Sequence, residues 1–185
     1  LFPETYHFTK KSDAKNIIET MVSQFKQQTK QINFVQGELT PHQIVTLSSI
    51  VEKETGAAWE RPKIAGVFLN RLAKPMRLQS DPTTIYGIYE KFDGNLRKKD
   101  LLEKTDYNTY KILGLPKGPI CNPGLKALDA VINPEQHKFL YFVSMNDGTH
   151  VFSTKYSDHV LAVNKYQKQQ NFRKGRSWRD LNKKK

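Results

Sequence analysis

A chain of 185 residues, 37% hydrophobic and 26% charged, has enough apolar material for one core, and no window approaches the roughly 20 apolar residues of a membrane span. A single cysteine, Cys121, excludes an intramolecular disulfide, and no Cys/His cluster has the spacing of a zinc site. The net charge of +12 points to nucleic acid until it is located: residues 165–185 hold nine Lys/Arg against Asp180, so +8 sits in a terminal tail with no groove-reading motif upstream.

The chain opens at Leu1-Phe2-Pro3-Glu4-Thr5-Tyr6 without an initiator Met, which predicts a piece of a longer protein. Asp13 caps a first helix with Ile17, Ile18, Met21, Val22 and Phe25 on one face. Thr40-Pro41-His42-Gln43 then supplies a cap, a proline at the first helical position and a Gln three after the cap. Ile44, Leu47, Ile50 and Val51 mark the buried face of this second helix. At about 100° per residue, Glu54 projects close to Leu47 and Ile50, Lys53 points away and Glu52 lies on the flank. Gly56 is the expected stop.

Another helix is predicted to begin near Trp59 to Pro62, with Ile64, Val67, Phe68 and Leu72 inward and Arg61 and Arg71 on or near it. Residues 75–123 are rich in turn signals such as Asp81-Pro82, Asp93-Gly94 and Asn122-Pro123-Gly124, with short helices expected around Arg97 to Glu103 and Leu125 to Ile132. Phe139 to Val143 reads as a buried strand, Asn146-Asp147-Gly148 as a turn and His150 to Ser153 as the returning strand. Ser157 or Asp158 caps a last helix. The prediction is an α+β fold: helices around a small antiparallel sheet, the Glu54 helix beside the 139–153 hairpin, and residues 75–123 as one wall of a cleft. Residues 1–170 form the domain, and 171–185 a basic tail with too few apolar groups to pack alone.

The chemistry centres on Glu54. A carboxyl leaning on apolar neighbours is disfavoured as an anion, and a raised pKa suits a general acid near neutral pH. The alternative is a pair of solvated glutamates at a helix end. Gln79, Ser80 and Asp81 crowd amide, hydroxyl and carboxylate into one loop, which suits sugar hydroxyls or an ordinary Asx-turn. Asn108 and Tyr110 offer an amide and a ring; His150 sits on a strand, where a lone His is commonly structural. There is no Gly-rich phosphate loop, no His pair at metal spacing and no Ser-centred elbow, and Cys121 has no activating partner.

Six segments occur in a telling order: Glu52-Lys53-Glu54-Thr55, Phe68-Leu69-Asn70-Arg71-Leu72, Leu78 to Gly87, Tyr107-Asn108-Thr109-Tyr110, Gly114 to Ile120 with Asn122-Pro123-Gly124, and Asp147 to Phe152. The series resembles the catalytic domain of the YceG-like family of endolytic murein transglycosylases, over roughly residues 1–168. Lys117 stands where the family often has a second proline, and Cys121 where it usually has a small residue.

The resemblance implies cleavage of the β-1,4 bond between N-acetylmuramic acid and N-acetylglucosamine, leaving 1,6-anhydro-muramyl ends and terminating nascent strands. It places the catalytic glutamate at Glu54, in agreement with the helical face. It implies no cofactor and no metal. The implied substrate is the peptidoglycan glycan strand, with peptidoglycan synthases of elongation or division as partners. It also implies a single-pass inner-membrane anchor and a LysM-like module ahead of this fragment, with the enzyme domain on the periplasmic side. Gln79, Ser80, Asp81, Asn108 and Tyr110 are the expected sugar-holding residues, with His150 and Phe152 lining the same cleft. Two other readings stay open: a lysozyme-type hydrolase with Asp81 as second carboxylate, and a non-enzymatic wall- or nucleic-acid-binding module using the tail.

Overall fold

Asp13 and Thr40 start the first two helices. The structure, a computed structural model, describes residues 1–169, so the 171–185 tail lies outside the described residues. Helix α1 (Ala14–Gln28) begins where the Asp13 side chain accepts the Asn16 backbone N–H at 2.7 Å. Helix α2 (Pro41–Glu54) begins with a reciprocal capping box between Thr40 and Gln43. Ile44, Leu47, Ile50 and Val51 are wholly buried, each side chain contributing about 1.5–3 kcal/mol through the apolar surface it removes from water. The helix stops at Thr55 and not through Gly56. Thr55 takes an extended backbone (φ −140°, ψ 139°), and its hydroxyl accepts the Ala57 N–H at 2.9 Å.

A single 3₁₀ turn, Ala58–Glu60, leads into α3 (Arg61–Ala73), which buries Ile64, Ala65, Val67 and Phe68. The turn-rich stretch contains an unpredicted helix, α4 (Asp81–Gly87). The helix expected around Arg97 to Glu103 is only a 3₁₀ turn, Asp100–Leu102, pinned by the Arg97 N–H to Asp100 Oδ2 at 2.7 Å. Helix α5 (Leu125–Ile132) lies across both α2 and α3 and closes a core that also takes in Leu78 and Ile120.

Strands β1 (Tyr141–Ser144) and β2 (His150–Ser153) pair antiparallel, Tyr141 opposite Ser153 and Ser144 opposite His150. Asn146 (φ 63°) and Gly148 (φ 95°) supply the left-handed residues of the turn. The hairpin packs on α3 and on α6 (Tyr156–Val163), with Phe142 edge-on to Phe68 at 5.8 Å. The α+β architecture is as expected, but the helices beside the sheet are α3 and α6 and not the Glu54 helix. The reason is the segment before β1, which is strapped to α3: Asn70 Nδ2 donates to the carbonyls of His137 (2.8 Å) and Phe139 (3.0 Å). Gly66 permits this approach, since a Cβ there would lie 2.6 Å from the Glu135 carbonyl oxygen. β1 is half-exposed along its length and not a buried strand. Helix α6 starts at Tyr156 with Lys155 in the cap position, two to three residues before the predicted Ser157 or Asp158 cap. Among the described residues no helix is long and apolar enough to cross a membrane.

Candidate active site

Glu54 is the last residue of α2 and emerges from the stripe that carries Leu47, Ile50 and Val51 into the core. Burial is the main influence on its carboxyl and pushes the pKa up to about 7. A hydrogen bond from Ser80 opposes that rise, the nearby Asp81 carboxylate adds to it, and the Arg71 guanidinium opposes it. The Ser80 hydroxyl donates to Glu54 Oε1 at 2.5 Å. A carboxyl poised near neutrality can give a proton and take one back.

The loop that delivers Ser80 is fixed by Thr109. The Ser80 N–H donates to Thr109 Oγ1 (2.9 Å), the Gln79 N–H to the Thr109 carbonyl (3.2 Å), and the Thr83 and Thr109 hydroxyls share a 2.7 Å bond. Gln79 takes a left-handed backbone (φ 52°) to make this turn, and its side chain is exposed. Asp81, also exposed, accepts the Tyr110 hydroxyl on Oδ1 at 2.6 Å. Burial, followed by the Asp81 bond and charge, raises the Tyr110 pKa, so the phenol stays a donor. Of the predicted residues, Ser80 bonds Glu54 directly, Asp81 and Tyr110 act on it through charge, and Gln79 precedes Ser80 in the same loop.

Asn108 and His150 are placed differently. The Asn108 amide is wholly buried: Nδ2 donates to the carbonyls of Leu101 (3.2 Å) and Glu103 (2.5 Å), and Oδ1 accepts from Thr84 Oγ1 and the Tyr110 N–H. It lies beneath the cleft wall and shapes it. His150 Nδ1 pairs with Glu60 Oε2 at 2.7 Å, and the same carboxylate accepts the His150 N–H at 3.0 Å. Phe152 packs among Phe139 and Phe142 with the Lys63 ammonium 5.4 Å from its ring centre. These two residues hold the hairpin to α3 and the turn before it.

Glu52 is engaged elsewhere: Oε1 accepts from Arg61 at 2.6 Å, and Oε2 accepts the Gly124 N–H at 3.1 Å. The Cys121 thiol is pushed up chiefly by burial, so it is a poor nucleophile. Among the described residues no group of three His, Cys, Asp or Glu is arranged to hold a metal ion.

A model of the YceG-like family matches residues 1–165. The chain belongs to the YceG-like family. It is 37% identical over 169 residues to the endolytic murein transglycosylase of Bacillus subtilis (strain 168), covering 90% of this chain and 47% of that protein. It is 31% identical over 166 residues to the endolytic murein transglycosylase of Streptococcus pneumoniae serotype 2, covering 86% of this chain and 30% of that protein. The 2.6 Å crystal structure of a protein described as YceG-like from Listeria monocytogenes superposes with a TM-score of 0.74 at 36% identity, over 88% of this chain and 54% of that one. The chain therefore spans about half or less of the length of the curated relatives it matches.

Within this YceG-like domain the sequence reading missed the roles of Arg71 and Thr109. Arg71, 6% exposed, donates from Nε to the Leu140 carbonyl (2.6 Å) and from Nη1 to the carbonyls of Leu78 (2.7 Å) and Arg77 (3.3 Å). It ties α3 to the loop before Ser80 and to the entry of β1. Its pKa is lowered, by burial first. The signal was present: Arg71 falls on the same stripe as Ile64 and Phe68, where a charge needs a purpose. Thr109 gave no such signal, because its partners Gln79, Ser80 and Thr83 lie 26 to 30 residues earlier in the chain.

Proposed function

We propose that this chain is the catalytic part of an endolytic peptidoglycan lytic transglycosylase, with Glu54 as its acid and then its base. The observation that carries the reading is the Glu54 carboxyl, held up to about 7 by burial at an exposed loop of polar groups. The names of the relatives support the substrate class.

Protonated Glu54 donates to the glycosidic oxygen between N-acetylmuramic acid and N-acetylglucosamine, and the C1–O bond breaks with an oxocarbenium-like centre at C1. The N-acetylglucosamine leaves with the proton as a free 4-hydroxyl. The Glu54 carboxylate, stabilised by the Ser80 hydrogen bond and the Arg71 charge, takes the proton from the C6 hydroxyl of the muramyl residue. O6 attacks C1 and closes the 1,6-anhydro ring. Glu54 ends protonated, and no water is consumed. The internal nucleophile has a high effective molarity when the sugar is held in the right pucker. In this reading Gln79, Asp81 and Tyr110 hold it. By the same reading the strands cut are nascent ones, the domain works on the periplasmic side of the inner membrane, and the peptidoglycan synthases are its partners.

Asp81 beside Glu54 keeps a hydrolase in view, and the product decides between them. Peptidoglycan digested by the chain is analysed by mass spectrometry. Anhydro-muramyl ends, each lighter by one water, are expected, and Glu54→Gln should give none while folding normally. Reducing muramyl ends would establish hydrolysis through Asp81; turnover by folded Glu54→Gln would remove Glu54 from the chemistry.

A further inference from the structure

Arg71 is a cation buried without a counter-ion. It is 6% exposed, and among the described residues it forms no salt bridge. Its partners are neutral. Nε donates to the Leu140 carbonyl at 2.6 Å, and Nη1 donates to the carbonyls of Leu78 at 2.7 Å and Arg77 at 3.3 Å. The Tyr141 ring lies against the guanidinium, its centre 5.4 Å from Cζ, and is itself stacked on His159 at 5.3 Å. Burial, and then the Arg71 charge, hold His159 below its ordinary pKa, so the imidazole adds no second cation near neutral pH. Taking a cation out of water is costly unless an anion answers it, and donation to carbonyls alone needs no charge. Three groups act on Arg71 through charge: Tyr141 and Tyr110 are phenols, and Glu54 is the one carboxyl. Arg71 thus gains its anion when Glu54 gives up a proton.

We infer that Arg71 is a positioning residue for the reaction: it fixes the turn that presents Ser80 to Glu54 and, capped by Tyr141, supplies the counter-charge for the Glu54 carboxylate in the half of the cycle that follows proton donation. The inference rests on the reading of Glu54 as acid and then base. Arg77 and Leu78 come directly before Gln79, at φ 52°, and Ser80, so the Nη1 bonds hold one side of the turn while Thr109 holds the other. The Nε bond to Leu140 anchors the guanidinium to the entry of β1 and fixes its plane. The groups that face this pair are the Ser80 hydroxyl and Asp81 carboxylate from the loop, Tyr110 beside them, Tyr141 from β1 and His159 from α6. Arg71 is the cation among them. The Tyr141 ring keeps water from one face of the guanidinium, and a charge shielded from water acts more strongly across the site.

The test follows the Glu54 carboxyl itself as well as turnover, in the unsubstituted chain and in Arg71→Gln, Arg71→Lys and Tyr141→Leu. Carbon-13 NMR of glutamate-labelled protein gives the titration midpoint of Glu54, with Glu54→Gln assigning the signal, and kcat/KM on peptidoglycan is taken across pH. Arg71→Gln keeps a donor and loses the charge. Its Glu54 midpoint and the alkaline limb of its profile should both move to higher pH, and turnover should fall roughly a hundredfold. Arg71→Lys restores the charge but not the fork of donors, so the midpoint should return toward the original value while turnover stays about tenfold down. Tyr141→Leu leaves the three carbonyl bonds untouched and covers the case in which Arg71→Gln does not fold; water admitted to the guanidinium weakens its charge, and the midpoint should again rise. A folded Arg71→Gln with midpoint and limb unmoved overturns the inference whatever its turnover, because an arginine that only braces the fold would lower the rate without shifting the titration. A midpoint in Arg71→Lys raised as far as that of Arg71→Gln overturns it equally. An unmoved midpoint in Tyr141→Leu overturns the part given to the ring, and the whole where Arg71→Gln does not fold. Should the midpoints shift as expected while folded Glu54→Gln still cleaves peptidoglycan, the acid–base reading falls and the hold of Arg71 on Glu54 stands.

Discussion

Ser80 stands at the N-cap position of α4 and gives its hydroxyl to Glu54, 2.5 Å away, instead of to the helix it begins. A serine there ordinarily satisfies a free backbone N–H of the first turn, worth about 0.5–2 kcal/mol. α4 has no such side-chain bond. The hydroxyl is diverted to the one carboxyl whose ionised form needs support. Ser80→Ala should therefore leave helix α4 intact and lower thermal stability mainly above about pH 7, where the Glu54 anion loses its donor. It should slow turnover by roughly tenfold and move the alkaline limb of the kcat/KM profile to higher pH, because a hydrogen bond that favours the Glu54 anion is lost. A pH–rate series on the variant checks both.

Glu54 also makes stability depend on pH. Its folded pKa, about 7, lies above the ordinary 4.5, so the folded chain binds a proton that the unfolded chain releases. The penalty is absent below the ordinary value, grows as pH rises through that window, and is complete above about 7, at on the order of 2–3 kcal/mol. Glu54→Gln cannot ionise and still accepts from Ser80. Its Tm should exceed that of the unsubstituted chain at about pH 8 and match it near pH 4. Equal differences at both values would show that the carboxyl is not held up by burial. Activity should fall above about pH 7 as the protonated acid is lost.

Glu52 provides the control for the pair. Its carboxylate joins Arg61 at the start of α3 to the Gly124 N–H at the cap of α5. Glu52→Gln keeps an acceptor for Gly124 but removes the ion pair, at a cost of about 1–2 kcal/mol in stability. Most of the activity should survive at temperatures where the variant is folded. A folded Glu52→Gln as inactive as Glu54→Gln would assign the chemistry to both glutamates.

Asn108→Ala should fail differently from a loss of substrate contact. Removing the amide leaves two carbonyls, the Thr84 hydroxyl and the Tyr110 N–H without their partner, costing at least about 2 kcal/mol. Denaturant unfolding should show that loss. An unchanged midpoint with a raised KM would return Asn108 to the sugar-binding surface.

The parts legible in the sequence are those written in local chemistry. The Thr40 capping box, the Asp13 cap, the bounds of α5 and the second strand of the hairpin follow from neighbouring residues, as does the direction of Glu54. Helix α4 was hidden because Ser80-Asp81-Pro82 reads as a turn, although a cap residue, an acid in the first turn and an early proline also spell a helix start. The cradle of Ser80 was not legible, because Thr109 and Arg71 reach it through the fold. His150 looked like a cleft residue only while its partner Glu60, ninety positions earlier, was unknown.

Gln79 keeps a side chain where the backbone, at φ 52°, would accept glycine without strain. A non-glycine residue in that conformation carries roughly 1 kcal/mol or more of conformational cost. The exposed amide beside Ser80 is thus retained against the local interest of the turn. Such a position is where durability and performance part company. Consensus-style stabilisation of this domain would pick Gln79→Gly early, and under the proposed function an enzyme chosen for heat resistance on that basis would surrender grip on its polymer.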